Sequence, residues 1–238
     1  YSNIYATEKD DKVFDVFKSV AEKYDFMNDL MSLGVHRFWK NALIEWLSPQ
    51  PHQVLVDIAG GTGDIAFRFL NAGGGFANIL DVNPNMIEIG KKKKQSIHHF
   101  KKVNWVLANA ESLPFGNNSI DRVTISFGLR NFTNKQIVLN EVYRILKPGG
   151  RLCCLEFSKV NDKKLSFFYD FWSFNIIPNL GKIVVNDESS YRYLAESIRV
   201  FPDQNQLAQM FTESGFVQVK FRNFSGGITA IHSGWKID

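Results

Sequence analysis

The chain has 238 residues, of which 45% are hydrophobic and 22% charged, as is typical of a globular protein. This length suits a sizeable core, and we expect a single domain over residues 1–238. The formal charge of +4 is too mild to indicate nucleic-acid binding, and no apolar stretch reaches the roughly 20 residues that a membrane-spanning helix needs.

The first 50 residues are expected to be helical. Apolar residues at helical spacing predict a helix over residues 13–24. A segment that mixes polar and aromatic residues follows it. A further helix is expected to end at Leu47, because Ser48 and Pro49 come next. We therefore expect residues 1–50 to form a helical extension in front of the sheet.

Short apolar runs alternate with helical patterns over the middle of the chain. Strands are predicted over residues 54–58, 78–82, 103–108, 121–127 and 151–157. Helices are predicted over residues 64–70 and 86–94, and a third helix is expected to begin with a capping box from Thr133 to Gln136. Residues 147–150 are expected to stop that helix. This alternation predicts an α/β fold with a mostly parallel sheet.

The last predicted strand of this series contains the two cysteines, Cys153 and Cys154. Neighbouring side chains of a strand point to opposite faces, so a disulfide between them would be strained. Reduced cysteines and the absence of a visible signal peptide predict a cytoplasmic protein. The histidines and cysteines of the chain form no group with metal-ligand spacing, so we expect no metal site.

The C-terminal third begins with an aromatic segment over residues 165–180. This segment belongs to a helical insertion or cap that we expect over residues 159–200. The segment is predicted either to pack on the core or a second subunit, or to face a lipid. A helix is predicted over residues 202–214, closed by Gly215, and two final strands are expected over residues 216–221 and 228–232.

A glycine-rich turn follows the first predicted strand. It contains Gly60, Gly61 and Gly63, and Asp81 ends the next predicted strand. Glycines let the backbone approach a ligand, the helix start offers free N–H groups, and a carboxylate about 20 residues later can bind a ribose diol. The pattern therefore predicts a nucleoside site.

The nucleoside can belong to a dinucleotide or to S-adenosylmethionine. Asp57 precedes the glycines, where it can meet the ammonium group of a methionine moiety but would repel a diphosphate. Asp64 begins the helix, where its charge would likewise repel a diphosphate. An acidic residue in a first turn is also explained by its favourable interaction with the helix dipole. These two residues favour S-adenosylmethionine.

Longer runs of the sequence resemble the ubiquinone/menaquinone biosynthesis C-methyltransferases, and they extend over nearly the whole chain. The matching runs are 24–40 (YDFMNDLMSLGVHRFWK), 57–64 (DIAGGTGD), 108–115 (ANAESLPF), 125–131 (ISFGLRN), 146–150 (LKPGG), 155–158 (LEFS), 186–187 (ND), 190–199 (SYRYLAESIR) and 202–204 (PDQ). The first, fourth and eighth runs are much more specific than the glycine run, which many methyltransferases share.

The resemblance implies a class I S-adenosylmethionine-dependent methyltransferase, with a Rossmann-like sheet of seven strands whose last strand is reversed. It implies transfer of a methyl group to a ring carbon of a polyprenylated quinol, either demethylmenaquinol or 2-methoxy-6-polyprenyl-1,4-benzoquinol. Alternatives are another small aromatic or lipid acceptor, or a non-catalytic subunit of a quinone-synthesis complex. The resemblance implies five cofactor residues: Thr62, Asp81, Asn109, Ala110 and Ser126. They add to Asp57 and the three glycines, which the residue pattern itself predicts.

The acceptor side needs groups that favour a phenolate, because carbon attack on a methyl sulfonium requires an electron-rich ring. Arg130 is the first candidate as an oxyanion stabiliser, with a structural salt bridge as the alternative. Asn131 can hold a water or the ring oxygen. His36 is a weaker candidate for general base, and Tyr193 can line the acceptor cavity or simply pack.

The N-terminal extension is expected to contribute to this acceptor site. A polyprenyl tail partitions into lipid, so contact with the inner face of a membrane is expected to help the enzyme reach its substrate. The sequence is compatible with a homodimer and with membership of a quinone-biosynthesis complex. We expect no nucleic-acid partner.

Overall fold

The structure is a computed structural model that describes Ser32 and residues 34–160 and 196–238. Its helices, numbered within these residues, are α1 (His36–Leu47), α2 (Asp64–Asn71), α3 (Pro84–Lys94), α4 (Lys135–Ile145) and α5 (Gln204–Glu213). Its strands are β1 (Val54–Ile58), β2 (Phe76–Asp81), β3 (Val103–Leu107), β4 (Ile120–Ser126), β5 (Leu146–Phe157), β6 (Val217–Phe224) and β7 (Thr229–Trp235). The predicted helix over 13–24 and the aromatic segment over 165–180 lie outside these residues.

All seven strands form one sheet in the order β3-β2-β1-β4-β5-β7-β6. The first five strands are parallel to one another, whereas β7 is antiparallel to both β5 and β6. The predicted α/β sheet with a reversed last strand is therefore confirmed. Because the strand order reverses between β1 and β4, a crevice is expected at their carboxyl ends.

Helices cover both faces of the central strands, which explains their nearly continuous apolar sequences. One core cluster contains Val56, Ile125 and Cys154, and the other contains Leu55, Ile79 and Cys153. The adjacent cysteines are free and buried on opposite faces of β5, as predicted.

Two local predictions need correction. The start of α4 is capped by Asn134, whose side-chain oxygen accepts from Ile137 N at 3.1 Å, so the capping box predicted from Thr133 to Gln136 is wrong by one residue. A capping box does occur at the start of α5, between Asp203 and Gln206.

The second correction concerns residues 147–150, which were expected to separate a helix from a strand. They lie within β5, as an irregularity between the pairs Ile120–Leu146 and Arg122–Arg151. Gly149 has φ +78° and donates its N–H to Lys236 O at 2.8 Å, which ties this irregular stretch to the C-terminal end of the sheet. The strand therefore begins earlier than its apolar pattern indicates.

Candidate active site

A cavity of about 340 Å³ opens at the carboxyl ends of β1, β2 and β4, at the switch in strand order. The residues predicted from the sequence that line it are Asp57, Gly60, Gly61, Thr62, Asp81, Asn109, Ala110, Ser126 and Asn131. The sheet thus brings together side chains that lie up to 74 residues apart in the sequence, from Asp57 to Asn131. Its size and mixed lining are those of a small-molecule site.

The glycine turn forms one wall of the cavity. Gly60 N donates to Leu80 O at 3.1 Å, and Gly63 N donates to Gly60 O at 2.8 Å, so the turn closes tightly against β2. Gly63 has φ +86°, and a Cβ there would come within 2.6 Å of Ile79 Cδ1. Only glycine meets both conditions without strain. Gly63 does not line the cavity but caps the start of α2.

Asp81 stands at the end of β2, opposite this turn. Its Oδ2 accepts from Gly61 N at 2.8 Å and its Oδ1 accepts from Asn83 N at 2.9 Å. Burial raises the pKa of Asp81, and the backbone N–H donors oppose that rise. The backbone N–H of Val82 acts on the same carboxylate. Because a carboxylate has about four acceptor sites, this side chain is oriented by the backbone and is still able to accept from a hydroxyl group.

Asp57 is fully buried at the end of β1. Its Oδ1 accepts from Thr124 Oγ1 at 2.7 Å, while Oδ2 has no hydrogen-bond partner among the described residues. Burial raises the pKa of Asp57 to about 7, the hydrogen bond from Thr124 opposes this, and the nearby Asp64 raises it further. A buried carboxylate oxygen without a hydrogen-bond partner is costly, and it suits a cationic ligand group.

Lys40 also lines the cavity, and the sequence reasoning missed it. Its Nζ lies 3.0 Å from Asp64 Oδ2, and Arg68 Nε lies 2.9 Å from Asp64 Oδ1. Although burial alone would raise the pKa of Asp64, the charges of Lys40 and Arg68 hold it below its usual value. Asp64 is thus ionised, and Lys40 and Arg68 offset its charge, so its charge no longer argues against a diphosphate. The charge of Asp57 still does.

Two residues of the lining, Ala59 and Phe127, have left-handed backbones with φ of +52° and +56°. This conformation is uncommon outside glycine and costs about 1–2 kcal/mol. A Cβ on the neighbouring Gly128 would lie 2.6 Å from Ala59 Cβ, so the two strand ends approach closely. Such strain concentrates at functional sites, and no motif in the sequence signals it.

Comparison with known proteins identifies the family. The model of the ubiE/COQ5 methyltransferase family matches residues 5–236. The chain belongs to the ubiE/COQ5 methyltransferase family. The ubiquinone/menaquinone biosynthesis C-methyltransferase of Cereibacter sphaeroides is 53% identical over 231 residues, which are 97% of this chain and 92% of that protein.

Solved structures agree on the fold. A SAM-dependent methyltransferase of Thermotoga maritima has a TM-score of 0.67 at 19% identity and covers 94% of this chain and 99% of its own. The phosphoethanolamine N-methyltransferase 2 of Haemonchus contortus, solved with S-adenosyl-L-methionine, has a TM-score of 0.62 at 14% identity, over 84% of this chain and 52% of its own. Its family membership makes the protein a methyltransferase, with S-adenosylmethionine as its cofactor.

The cavity of this methyltransferase fits that cofactor. Two of the carboxylates that line this cavity are Asp81, the residue predicted for the ribose diol, and Asp57, whose buried Oδ2 has no partner among the described residues and which is predicted for the ammonium group. Ser126 lines it from the end of β4, and its Oγ has no partner within the described part of the chain. Asn109 Oδ1 accepts from Glu111 N at 2.9 Å and so shapes its own turn, while the Asn109 amide N–H₂ is not engaged in that bond.

Arg130 of the methyltransferase is not among the residues that line the cavity. It is 8% exposed, and its Nη1 donates to Phe127 O and, at 2.8 Å, to Glu156 Oε1. Its backbone N–H donates to Glu156 Oε2 at 3.2 Å, and its guanidinium stands 5.6 Å from the centroid of the Phe157 ring. The geometry is that of a buried ion pair which fixes the turn after β4; a direct catalytic role stays a prediction.

The other acceptor-side candidates of the methyltransferase are divided. Asn131 follows Arg130 in the same turn and does line the cavity. His36 is buried at the start of α1 and is not among the lining residues; its backbone N–H donates to Ser32 Oγ at 3.2 Å. Tyr193 lies outside the described residues. The acceptor half of the predicted site therefore rests mainly on Asn131 within the described chain.

Proposed function

We propose that this methyltransferase transfers a methyl group from S-adenosylmethionine to a ring carbon of a polyprenylated quinol. The candidate acceptors are demethylmenaquinol and 2-methoxy-6-polyprenyl-1,4-benzoquinol. The relative from Cereibacter sphaeroides, a ubiquinone/menaquinone biosynthesis C-methyltransferase that is 53% identical over nearly the whole chain, supports this reaction. The bound cofactor supplies an electrophilic methyl group on a sulfonium, whose transfer to the ring carbon releases S-adenosylhomocysteine and one ring proton.

The observation that carries the donor half of the proposal is the unpartnered Oδ2 of Asp57, buried in the lining of the cavity. A methionine moiety offers an ammonium group to that oxygen, whereas a dinucleotide offers a diphosphate that the carboxylate repels. Asp81 binds the ribose diol in this arrangement, and Asn109 with Ala110 faces the adenine edge. The residues hold the donor at three separated points, which fixes its orientation.

On the acceptor side, Asn131 is the group we propose to hold an acceptor oxygen or the water that takes up its proton. Loss of the hydroxyl proton enriches the ring carbon in electrons, so a site that favours the phenolate accelerates attack. Arg130 fixes the turn that carries Asn131, through its contacts with Phe127 O and Glu156. Because Glu156 offsets its charge, stabilisation of an oxyanion by Arg130 itself requires this ion pair to loosen.

We also propose that the enzyme acts at the cytoplasmic face of a membrane, because the prenyl tail of the acceptor partitions into lipid. No helix within Ser32, 34–160 and 196–238 is long and apolar enough to cross a bilayer. The last turn of α3 carries Lys91, Lys92, Lys93 and Lys94, and basic residues near an anionic surface contribute about 1 kcal/mol each. Vesicle flotation tests this: we expect recovery with anionic vesicles, and no recovery with any vesicle would contradict it.

The reaction itself is tested with labelled S-adenosylmethionine and each acceptor in a separate detergent mixture, both reduced and oxidised. We expect label only in the reduced acceptors, since the oxidised ring is electron-poor. The ratio of label incorporated into the two acceptors identifies the preferred substrate. Absence of label from both reduced acceptors, with S-adenosylhomocysteine still bound, would point to another acceptor or to a non-catalytic subunit.

A further inference from the structure

Lys40 is a buried cation at the cavity that the proposed roles so far leave unused. It lies on α1, and its side chain is 7% exposed. The buried face of α1 contains Trp39, Leu43 and Leu47 beside it, so Lys40 occupies a position where an apolar residue would pack. Lysine is almost never buried this completely unless it is paired. Its retention on an apolar face therefore calls for a negative partner.

The partner within the described chain is Asp64, at 3.0 Å from Lys40 Nζ. This one carboxylate is shared, because Arg68 Nε binds its other oxygen at 2.9 Å. Asp64 is therefore divided between two cations, and the charge of Lys40 also acts on the nearby Asp57 carboxylate. An ammonium group has three protons to donate, and among the described residues Asp64 Oδ2 is the one acceptor that takes a hydrogen bond from Lys40.

The charge of the opposite sign lies on Asp57, which lines the same cavity and whose Oδ2 has no partner in the described chain. The cavity thus presents an ammonium group that shares its carboxylate partner with Arg68, and a carboxylate oxygen without a hydrogen-bond partner in the described chain. A zwitterionic amino acid carries the complementary pair, an α-carboxylate and an α-ammonium group on one carbon. A ligand without these groups leaves Asp57 Oδ2 without a partner, which costs free energy in a buried site, and leaves Lys40 with Asp64 as its acceptor.

We propose that Lys40 binds the α-carboxylate of the methionine moiety of the donor, while Asp57 binds its α-ammonium group. This inference rests on the donor half of the proposed function and is independent of which acceptor is used. It makes α1 a part of the donor site rather than a support for it. Lys40 is a binding residue in this arrangement. Asp64 is a positioning residue that holds the ammonium group of the Lys40 side chain at the cavity.

The test compares ligands that differ by one group. Calorimetry would measure binding of S-adenosylhomocysteine, of its decarboxylated analogue, which keeps the amine, and of 5′-methylthioadenosine, which lacks both groups. Each ligand is titrated into the wild-type protein, Lys40→Met and Lys40→Arg, with Lys101→Met as the control, since Lys101 is exposed and away from the cavity. Binding is measured without an acceptor, so failure of the quinol proposal would not affect the result.

Removal of the carboxylate is expected to weaken wild-type binding by about tenfold to a hundredfold, as for a charge-assisted hydrogen bond. Lys40→Met is expected to weaken S-adenosylhomocysteine by a similar factor and to leave the decarboxylated analogue within about threefold of wild type. Lys40→Arg is expected to retain part of the affinity. Lys101→Met is expected to match wild type with every ligand.

An equal loss for both ligands in Lys40→Met would show that Lys40 only supports the fold, and an unchanged affinity for S-adenosylhomocysteine would show that it makes no contact. Either result overturns the proposal. If Lys40→Met does not fold, the double variant Lys40→Gln/Asp64→Asn removes both charges, so that no carboxylate at position 64 is left without its ammonium partner. It is held to the same two criteria, with its unfolding temperature measured alongside.

Discussion

Replacement of Asp57 by asparagine is expected to stabilise the ligand-free protein while weakening donor binding. Asparagine has the same shape as aspartate, and its side-chain oxygen can still accept the hydrogen bond that Thr124 Oγ1 donates at 2.7 Å. The substitution removes the negative charge that burial disfavours, so the native state gains stability where that charge is present.

The size of the effect follows from the pKa of Asp57, which burial raises from 3.8 to about 7. The unfolded chain loses its proton more readily than the native protein, so ionisation destabilises the native state progressively as the pH rises from 3.8 to about 7. One pKa unit corresponds to 1.36 kcal/mol, which gives a gain for Asp57→Asn of about 4 kcal/mol near pH 8 and about 2 kcal/mol near pH 5.

Urea unfolding at a series of pH values measures this difference directly. Asp238→Asn is the matched control, because Asp238 is exposed, and its unfolding free energy is expected to follow wild type throughout. A gain for Asp57→Asn that does not change with pH would refute the reasoning, as would a loss of stability near pH 8. Affinity for S-adenosylhomocysteine is expected to fall at least about tenfold in the same variant.

Three further predictions concern other buried groups. Burial lowers the pKa of His232 to about 4, so this residue alone is expected to remove about 3 kcal/mol of unfolding free energy between pH 6.5 and pH 4. Urea unfolding of His232→Gln should lack this contribution, and a pH dependence identical to that of wild type contradicts it. Arg130→Ala leaves Glu156 buried without its ion-pair partner and should lower the unfolding free energy by about 3–5 kcal/mol, whereas Arg130→Met/Glu156→Gln should recover much of that stability. If Arg130 acts on the acceptor, the double variant should bind S-adenosylhomocysteine normally but turn over at least about a hundredfold more slowly. An equal loss of donor affinity argues against that role. Gly63→Ala meets side-chain atoms at 2.6 Å, whereas Gly73→Ala, with a similar φ of +94°, meets nothing within 4 Å; thermal unfolding should show a loss for Gly63→Ala at least about 1 kcal/mol larger than the loss of about 1 kcal/mol for Gly73→Ala, and equal losses would contradict the tight turn.

The sheet could be predicted from the sequence because its strands are short apolar runs separated by helical patterns. The bounds of β1 are those predicted, since Gln53 and the glycine turn delimit a run that is apolar except for Asp57. The start of β5 could not be predicted, because Pro148, Gly149 and Gly150 indicate a turn, whereas Gly149 is held to the sheet by its bond to Lys236. That contact joins residues far apart in the chain and leaves no local signal.

The candidate donor site was predictable where chemistry fixes the residue type. Asp81 and the glycines stand at strand ends that must meet in a parallel sheet, and the structure places Asp81 2.8 Å from Gly61 N. Lys40 was missed because a lysine in a helix ordinarily indicates solvent, although its position on the apolar face was a readable sign. The ion pair of Arg130 with Glu156 depends on the pairing of β4 with β5, which no spacing in the sequence encodes.

The position of the transferred methyl group tests the central claim most directly. S-adenosylmethionine labelled with ¹³C in its methyl group would be incubated with the enzyme and each reduced acceptor, and the product examined by NMR. The account predicts a methyl carbon bonded to a ring carbon, with one ring proton lost and both hydroxyl groups free. A methyl bonded to a quinol oxygen, or no labelled product from an enzyme that binds S-adenosylhomocysteine, would contradict it.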